Sequence, residues 1–197
     1  MGRSPDDMAA AVASSMRERT GRSLEEWVEE VERGGPDPLD QRAVRAWLRD
    51  EHGVPQNSQW AIAFAAAERA GWERPDVEGY IDGQYAGARA GLRPIFDRLR
   101  EVAEGLGDDV SLAGRGGYTP FVRRRQFAAV RAATRTRVDL GLRFERPPAS
   151  PLLTAAKGGL GQSTHKVGLA SVDDITAEVE SLMRQAYEQN GRRPSAP

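Results

Sequence analysis

From Val138 the chain alternates strictly: Val138, Leu140, Leu142 and Phe144 are apolar, while Arg137, Asp139, Gly141 and Arg143 are charged or small. A period of two puts the first set on one face of a strand and the second on the other, the pattern of a half-buried β-strand. QFAAVRA (126–132) predicts a second, less regular strand upstream. YTPFV (118–122) predicts a third, in which Pro120 lacks a ladder donor and so marks an edge or a bulge. HKVGLAS (165–171) predicts the last.

Elsewhere the period is helical. Ser23 with Glu26 three residues on is a capping-box signature. Leu24, Trp27, Val28 and Val31 then form one apolar stripe that stops at Gly34-Gly35-Pro36. A second helix is expected from Asp40 to Gly53, burying Val44, Trp47 and Leu48. A third is expected from Asn57 to Ala70, burying Trp60, Ala63, Phe64 and Ala67. All four tryptophans (Trp27, Trp47, Trp60, Trp72) lie in or at the end of this stretch, and the three helices, with one bulky aromatic each, are expected to close a compact core.

Glycines 79, 83, 87 and 91 recur every four residues. Glycine penalises helix, so the next firm helix is expected to begin near Ala88. Read instead as a helix face, the same ladder would admit a close backbone or a flat ligand. Pro94 falls in the first turn of the firm helix or at a kink, and Ile95, Leu99, Val102 and Leu106 mark its buried stripe. A final helix starts at Ser171–Asp174 and buries Ile175, Val179, Leu182, Met183, Ala186 and Tyr187. The GRRPSAP tail is expected to fray. The fold class that follows is α+β: a three-helix domain over 1–72 with a frayed start, then an α+β domain over 73–197. The latter is expected to hold an antiparallel sheet of about four or five strands packed by two long helices, 88–105 and 172–190.

Composition narrows the function classes. A formal net charge of −1 gives no global drive toward nucleic acid or membrane, so any such drive is local. The absence of cysteine excludes disulfides and thiolate chemistry. No apolar run approaches the roughly 18–20 residues of a membrane span. The N-terminus carries Asp6 and Asp7 and lacks an apolar signal core, so a cytoplasmic protein with no membrane partner is expected. Residues 1–72 hold nine basic and thirteen acidic side chains, which disfavours helix-turn-helix DNA binding.

TGRSLEEWVEEVER with AVRAWLRDEHG resembles a small bacterial helical domain of unknown function. GLRPIFDRL, RRRQFAAVRAATRTRVDLGL and HKVGLASVDDI resemble a second uncharacterised domain, often fused behind the first. The likeness runs over about residues 17–190 in the same order. It implies a two-domain α+β protein without an established activity, some relatives of which are labelled predicted transport proteins. A more distant likeness is to small α+β proteins with a suggested iron-handling role. The chain departs from the pattern after EHG, where Val54-Pro55-Gln56-Asn57 replaces a histidine-bearing turn, and at Leu160-Gly161, which replaces a Phe-Asn pair.

Charge is concentrated. Between Val110 and Arg146, nine arginines stand against Asp139 and Glu145. All basic residues other than Lys157 and Lys166 are arginine, a preference that a GC-rich genome also produces. Arg137 and Arg143 share a strand face with Asp139, and Arg123, Arg125 or Arg131 joins them according to register. Converging guanidiniums suit a carboxylate or phosphate; a solvated face neutralised by Asp139 and the acidic last helix is the plainer alternative. Tyr118, Lys157 and Ser163 complete the candidate ligand-binding set, with KGGLGQST as a flexible lid. That run lacks phosphate-loop spacing and precedes a strand, so it is not a nucleotide-triphosphate motif.

His165 is in phase with Val167 and Leu169, which fits a structural histidine or, alternatively, a general acid/base. Thr164 is expected on the opposite face from it, and Ser163 on the same face. His52 is expected to cap a helix end. No metal or cofactor is expected from this spacing. The leading expectation is a non-catalytic cytoplasmic binding protein that holds a small anionic ligand on an arginine-bearing sheet face. An enzyme using His165 is the alternative, and a single-stranded nucleic-acid adaptor is the third reading.

Overall fold

A computed structural model describes residues 15–191, and the chain divides into two compact units, Met1–Arg74 and Pro75–Pro197. The first is helical: α1 (Met16–Thr20), α2 (Leu24–Gly34), α3 (Gln41–Asp50) and α4 (Gln56–Arg69). Ser23 and Glu26 cap α2 reciprocally, and the Asp40 carboxylate accepts from the Arg42 and Ala43 amides at the start of α3. Met16, Trp27, Val28, Val31, Val44, Leu48, Ile62 and Ala63 form the core. The described helices number four, because α1 brings Met16, fully buried, into this cluster.

Trp60 departs from expectation. It is 39% exposed, held between the Arg45 guanidinium, 3.6 Å from its ring centroid, and the Phe64 ring at 5.6 Å. Ile62, Ala63 and Ala66 take the inward positions of α4, and the alanines among them let neighbouring helices approach closely, which leaves the indole outside.

The second unit is α+β. It runs α5 (Val77–Gln84), a 3-10 segment (Gly87–Leu92), α6 (Arg93–Glu104), β1 (Ser111–Leu112), β2 (Thr119–Val122), β3 (Gln126–Ala132), β4 (Val138–Leu142), β5 (Thr154–Ala155), β6 (His165–Leu169) and α7 (Ala177–Gly191). The sheet has six strands in the order β1-β2-β3-β4-β6-β5, all antiparallel. The sheet exceeds the expected four or five strands because β1 and β5, with only two residues each, exist through their neighbours. The glycine ladder is not a continuous break: Asp76 caps α5 through the Gly79 amide, and the helix tolerates Gly79 and Gly83. It ends before Gly87, at φ 58°, and firm helix resumes only at Arg93, with Pro94 in the first turn.

One face of the sheet carries Ala128, Val130, Val138, Leu140, Leu142, Val167 and Leu169 against Phe96 and Leu99 of α6 and Val179, Leu182 and Met183 of α7. A bulge between Phe121 and Val122 shifts the register, so Phe127 joins this core while Gln126 turns the other way. The helices of this unit pack on that face. The opposite face presents Ala129, Arg131, Asp139, Gly141, Lys166 and Gly168, crossed by the loop 156–164.

Candidate functional site

The helix-free face is organised around Asp139. The β3–β4 ladder sets Arg131 opposite it, and the β4–β6 ladder places Gly168 opposite Asp139 and Lys166 opposite Gly141, one diagonal step away. Three cations therefore reach one carboxylate. Arg137 Nε lies 2.9 Å from Oδ1, Lys166 Nζ 2.9 Å from Oδ2, and Arg131 Nη2 3.4 Å from Oδ2. Asp139 itself is 1% exposed. Burial alone would raise its pKa, but Lys166, then Arg137 and Arg131, outweigh that effect and hold the carboxyl below its ordinary range. With one carboxylate against three cations, two positive charges remain at the surface of the cluster. Arg131 is under-used as a donor: its Nε is buried without a partner among the described residues, and Nη1 meets the Gly159 carbonyl only at 3.4 Å.

The loop beside this cluster is seated, not free. Gly158, Gly159 and Gly161 have φ of 75°, 75° and 59°, which lets the chain curl so that Leu160 is buried against the sheet. A Cβ on Gly141 would stand 2.5 Å from Ser163 Oγ and 3.0 Å from Leu160 Cβ, so glycine in β4 makes the seat. Gln126 Nε2 donates to the Leu160 carbonyl at 2.9 Å and to Ser163 Oγ at 3.2 Å, and Ser163 Oγ donates to the Leu160 carbonyl at 2.8 Å.

The residues expected from sequence are distributed over three places. Arg137 and Asp139 lie in the cluster. Ser163 holds the loop, Tyr118 stands beside Gly161, and Lys157 is exposed where the loop begins. Arg143 is on the same face but at the far end of the loop, where it donates to Gln162. Arg125 donates to Glu145 at 2.6 Å and to the Gln189 carbonyl at 3.3 Å. Arg123 donates to Asp109 at 2.6 Å and stacks 4.0 Å above the Tyr187 ring centroid, fastening the β2–β3 turn to α7. Lys166 was not among the expected residues. Its signal was the phase of β6: if His165 and Val167 face the core, Lys166 faces away.

His165 pairs with Leu142 on the core side of the sheet, its ring 6.0 Å from Phe144, on the opposite face from the cations. Thr164 Oγ1 nonetheless lies 3.0 Å from His165 Nδ1, contrary to the expected opposition. Thr164 precedes the strand, outside its pleat, and its hydroxyl also accepts from the Phe144 amide at 3.0 Å. His52 does not cap α3, whose C-cap is Glu51; it wedges edge-on between Trp27 and Trp47 at 5.2 and 4.4 Å. Asp174 accepts from the Ala170 and Ser171 amides, and these bonds lower its pKa, so its position is explained by local capping.

Among the described residues, no group of three or more His, Asp or Glu side chains could hold a metal ion, and no helix is long and apolar enough to cross a membrane. A cleft of about 290 Å³ on the helical unit is lined by Gly21, Arg22, Glu26, Glu29, Glu30 and Arg33. Its walls are ion-paired, with Arg22 and Arg33 both on Glu30 at 2.9 and 3.1 Å.

Residues 8–67 match the family described as Domain of unknown function (DUF4287), and residues 81–190 match Domain of unknown function (DUF5655). No curated protein and no solved structure matches the chain. The second match covers more than half of the chain and includes α6, every strand of the sheet, the seated loop and nearly all of α7. On that ground the chain belongs to the family of the Domain of unknown function (DUF5655).

Proposed function

We propose that this chain is a non-catalytic cytoplasmic binding protein that holds a small anionic molecule on the helix-free face of its sheet. The residues that hold it are Arg131, Arg137 and Lys166, above Asp139 and beside the loop 157–163. The observation that carries this reading is the convergence of three cations on one carboxylate that is 1% exposed. Asp139 fixes the cations in place, and its single charge leaves two of theirs uncompensated. Oriented guanidiniums with part of their donor capacity unspent are the usual means of gripping carboxylate or phosphate oxygens. Arg123, Arg125 and Arg143 do not belong to the grip, since each is engaged elsewhere. His165 lies across the sheet from it, which favours binding over acid–base chemistry at this cluster.

Isothermal titration of the full chain at low ionic strength with acetate, succinate, sulfate and phosphate tests the reading. At least one of these anions should bind with unit stoichiometry. Its affinity should fall at least tenfold in Lys166→Gln and weaken as salt is raised. Absence of binding for all four, or affinity indifferent to that variant, contradicts it.

A further inference from the structure

Resting on the anion-binding reading, we infer that the preferred ligand group is a dianionic phosphate, free or as the terminal monoester of a small molecule. Charge favours this group. Three cations and one carboxylate leave two positive charges, the complement of a doubly ionised phosphate and twice that of a monocarboxylate. Donor geometry favours it as well. A carboxylate presents two oxygens in one plane and is satisfied by a single guanidinium fork, whereas phosphate presents three terminal oxygens. Here the donors come from three directions: Arg131 from β3, Arg137 from the turn before β4, and Lys166 from β6.

Arg131 is also only weakly engaged. Arg131 Nη1 and Nη2 make only long contacts, each 3.4 Å, to the Gly159 carbonyl and to Asp139. The adjoining backbone is similarly open. The amides of Gly158 and Gly159 donate to nothing among the described residues, and the Gly159 carbonyl already touches Arg131. Successive backbone N–H groups in a turn are one way that loops bind phosphate oxygens. The Arg137 side chain is 48% exposed, so the cluster grips a terminal group and leaves the rest of the ligand outside.

Titrations of the full chain with glycerol 3-phosphate, inorganic phosphate, sulfate and acetate separate the outcomes. At pH 7.5 and low salt, glycerol 3-phosphate and phosphate should each bind at least tenfold more tightly than acetate. Tighter binding of glycerol 3-phosphate than of phosphate would assign the site to monoesters, and the reverse to the free ion. As pH falls toward 5, glycerol 3-phosphate should weaken as its second proton returns, with a pKa of about 6. Sulfate, doubly charged throughout, should not follow. The charged groups around the ligand are Asp139, Arg131, Arg137, Lys166 and Lys157, and the sulfate titration reports any change in them separately from protonation of the phosphate.

Arg131→Gln and Arg137→Gln should each lower glycerol 3-phosphate affinity at least tenfold, while Arg125→Gln, outside the cluster, should change it less than twofold. Should either glutamine variant fail to fold, Arg137→Lys keeps the charge but removes the fork, and its affinity should still fall at least threefold. Acetate binding within twofold of glycerol 3-phosphate overturns the phosphate assignment and leaves anion binding standing. No binding by any of the four overturns both. Phosphate affinity unchanged in Arg131→Gln and the Arg137 variants also overturns the assignment.

Discussion

Replacing Asp139 with asparagine would leave Arg131, Arg137 and Lys166 facing one another without the carboxylate that holds them. The three cations keep 29–48% of their side-chain exposure, so water screens much of the resulting repulsion. The expected cost near neutral pH is about 2 kcal/mol, below that of breaking a fully buried pair. The pH dependence has a definite sign. Because the folded pKa of Asp139 is depressed, its contribution is present above the unfolded value, about 3.9, and is lost as pH falls through the folded value. Urea denaturation of wild type and Asp139→Asn should therefore differ at pH 7 and converge toward pH 2. A constant difference at both pH values would contradict this account.

The tryptophans give a second test at this scale. Trp27 is 4% exposed and its Nε1 donates to Thr20 Oγ1 at 2.7 Å, so Trp27→Ala should cost about 3–5 kcal/mol. Trp60→Ala, outside the core, should cost less than half of that in the same denaturation measurement. Sequence pattern treats these two alike, since both sit on helical apolar stripes. What separates them is the packing of Ile62 and Ala63 inward, a tertiary fact. Asp139 and Arg137 were legible as neighbours from strand alternation alone. Lys166 required knowing that β6 pairs with β4, and pairing is not written in local periodicity.

At the level of elements, the seated loop makes the sharpest demand on a single residue type. Gly141→Ala would place a methyl within 2.5 Å of Ser163 Oγ, in a strand whose own backbone is free of strain. Overpacking of this kind costs about 1–3 kcal/mol, and here it should also lift the loop. Amide hydrogen exchange across 157–163 should accelerate in Gly141→Ala relative to wild type; unchanged exchange would show that the loop is not seated on β4. The long strands and α2, α3, α6 and α7 were readable because each carries several turns or pleats of consistent pattern. The two-residue strands β1 and β5 carry no period at all, and α5 depends on an Asp76 cap strong enough to override two glycines.

For the whole molecule, net charge conceals the arrangement that matters. The chain totals −1, yet the segment from Val110 to Arg146 sets nine arginines against two carboxylates. Folding then divides those arginines: Arg123 and Arg125 fasten the sheet to its surroundings, Arg143 holds the loop, and Arg131 and Arg137 converge with Lys166. What the sequence shows as one basic region is thus a small cluster with spare charge plus several structural ion pairs. Mapping backbone amide shifts of the full chain during a titration with inorganic phosphate tests this division most directly. The largest shifts should fall on Arg131, 137–139, 158–159 and 166–168, with Arg123 and Arg125 little affected. Shifts centred on Arg123 and Arg125, or spread evenly over all the arginines, would contradict it.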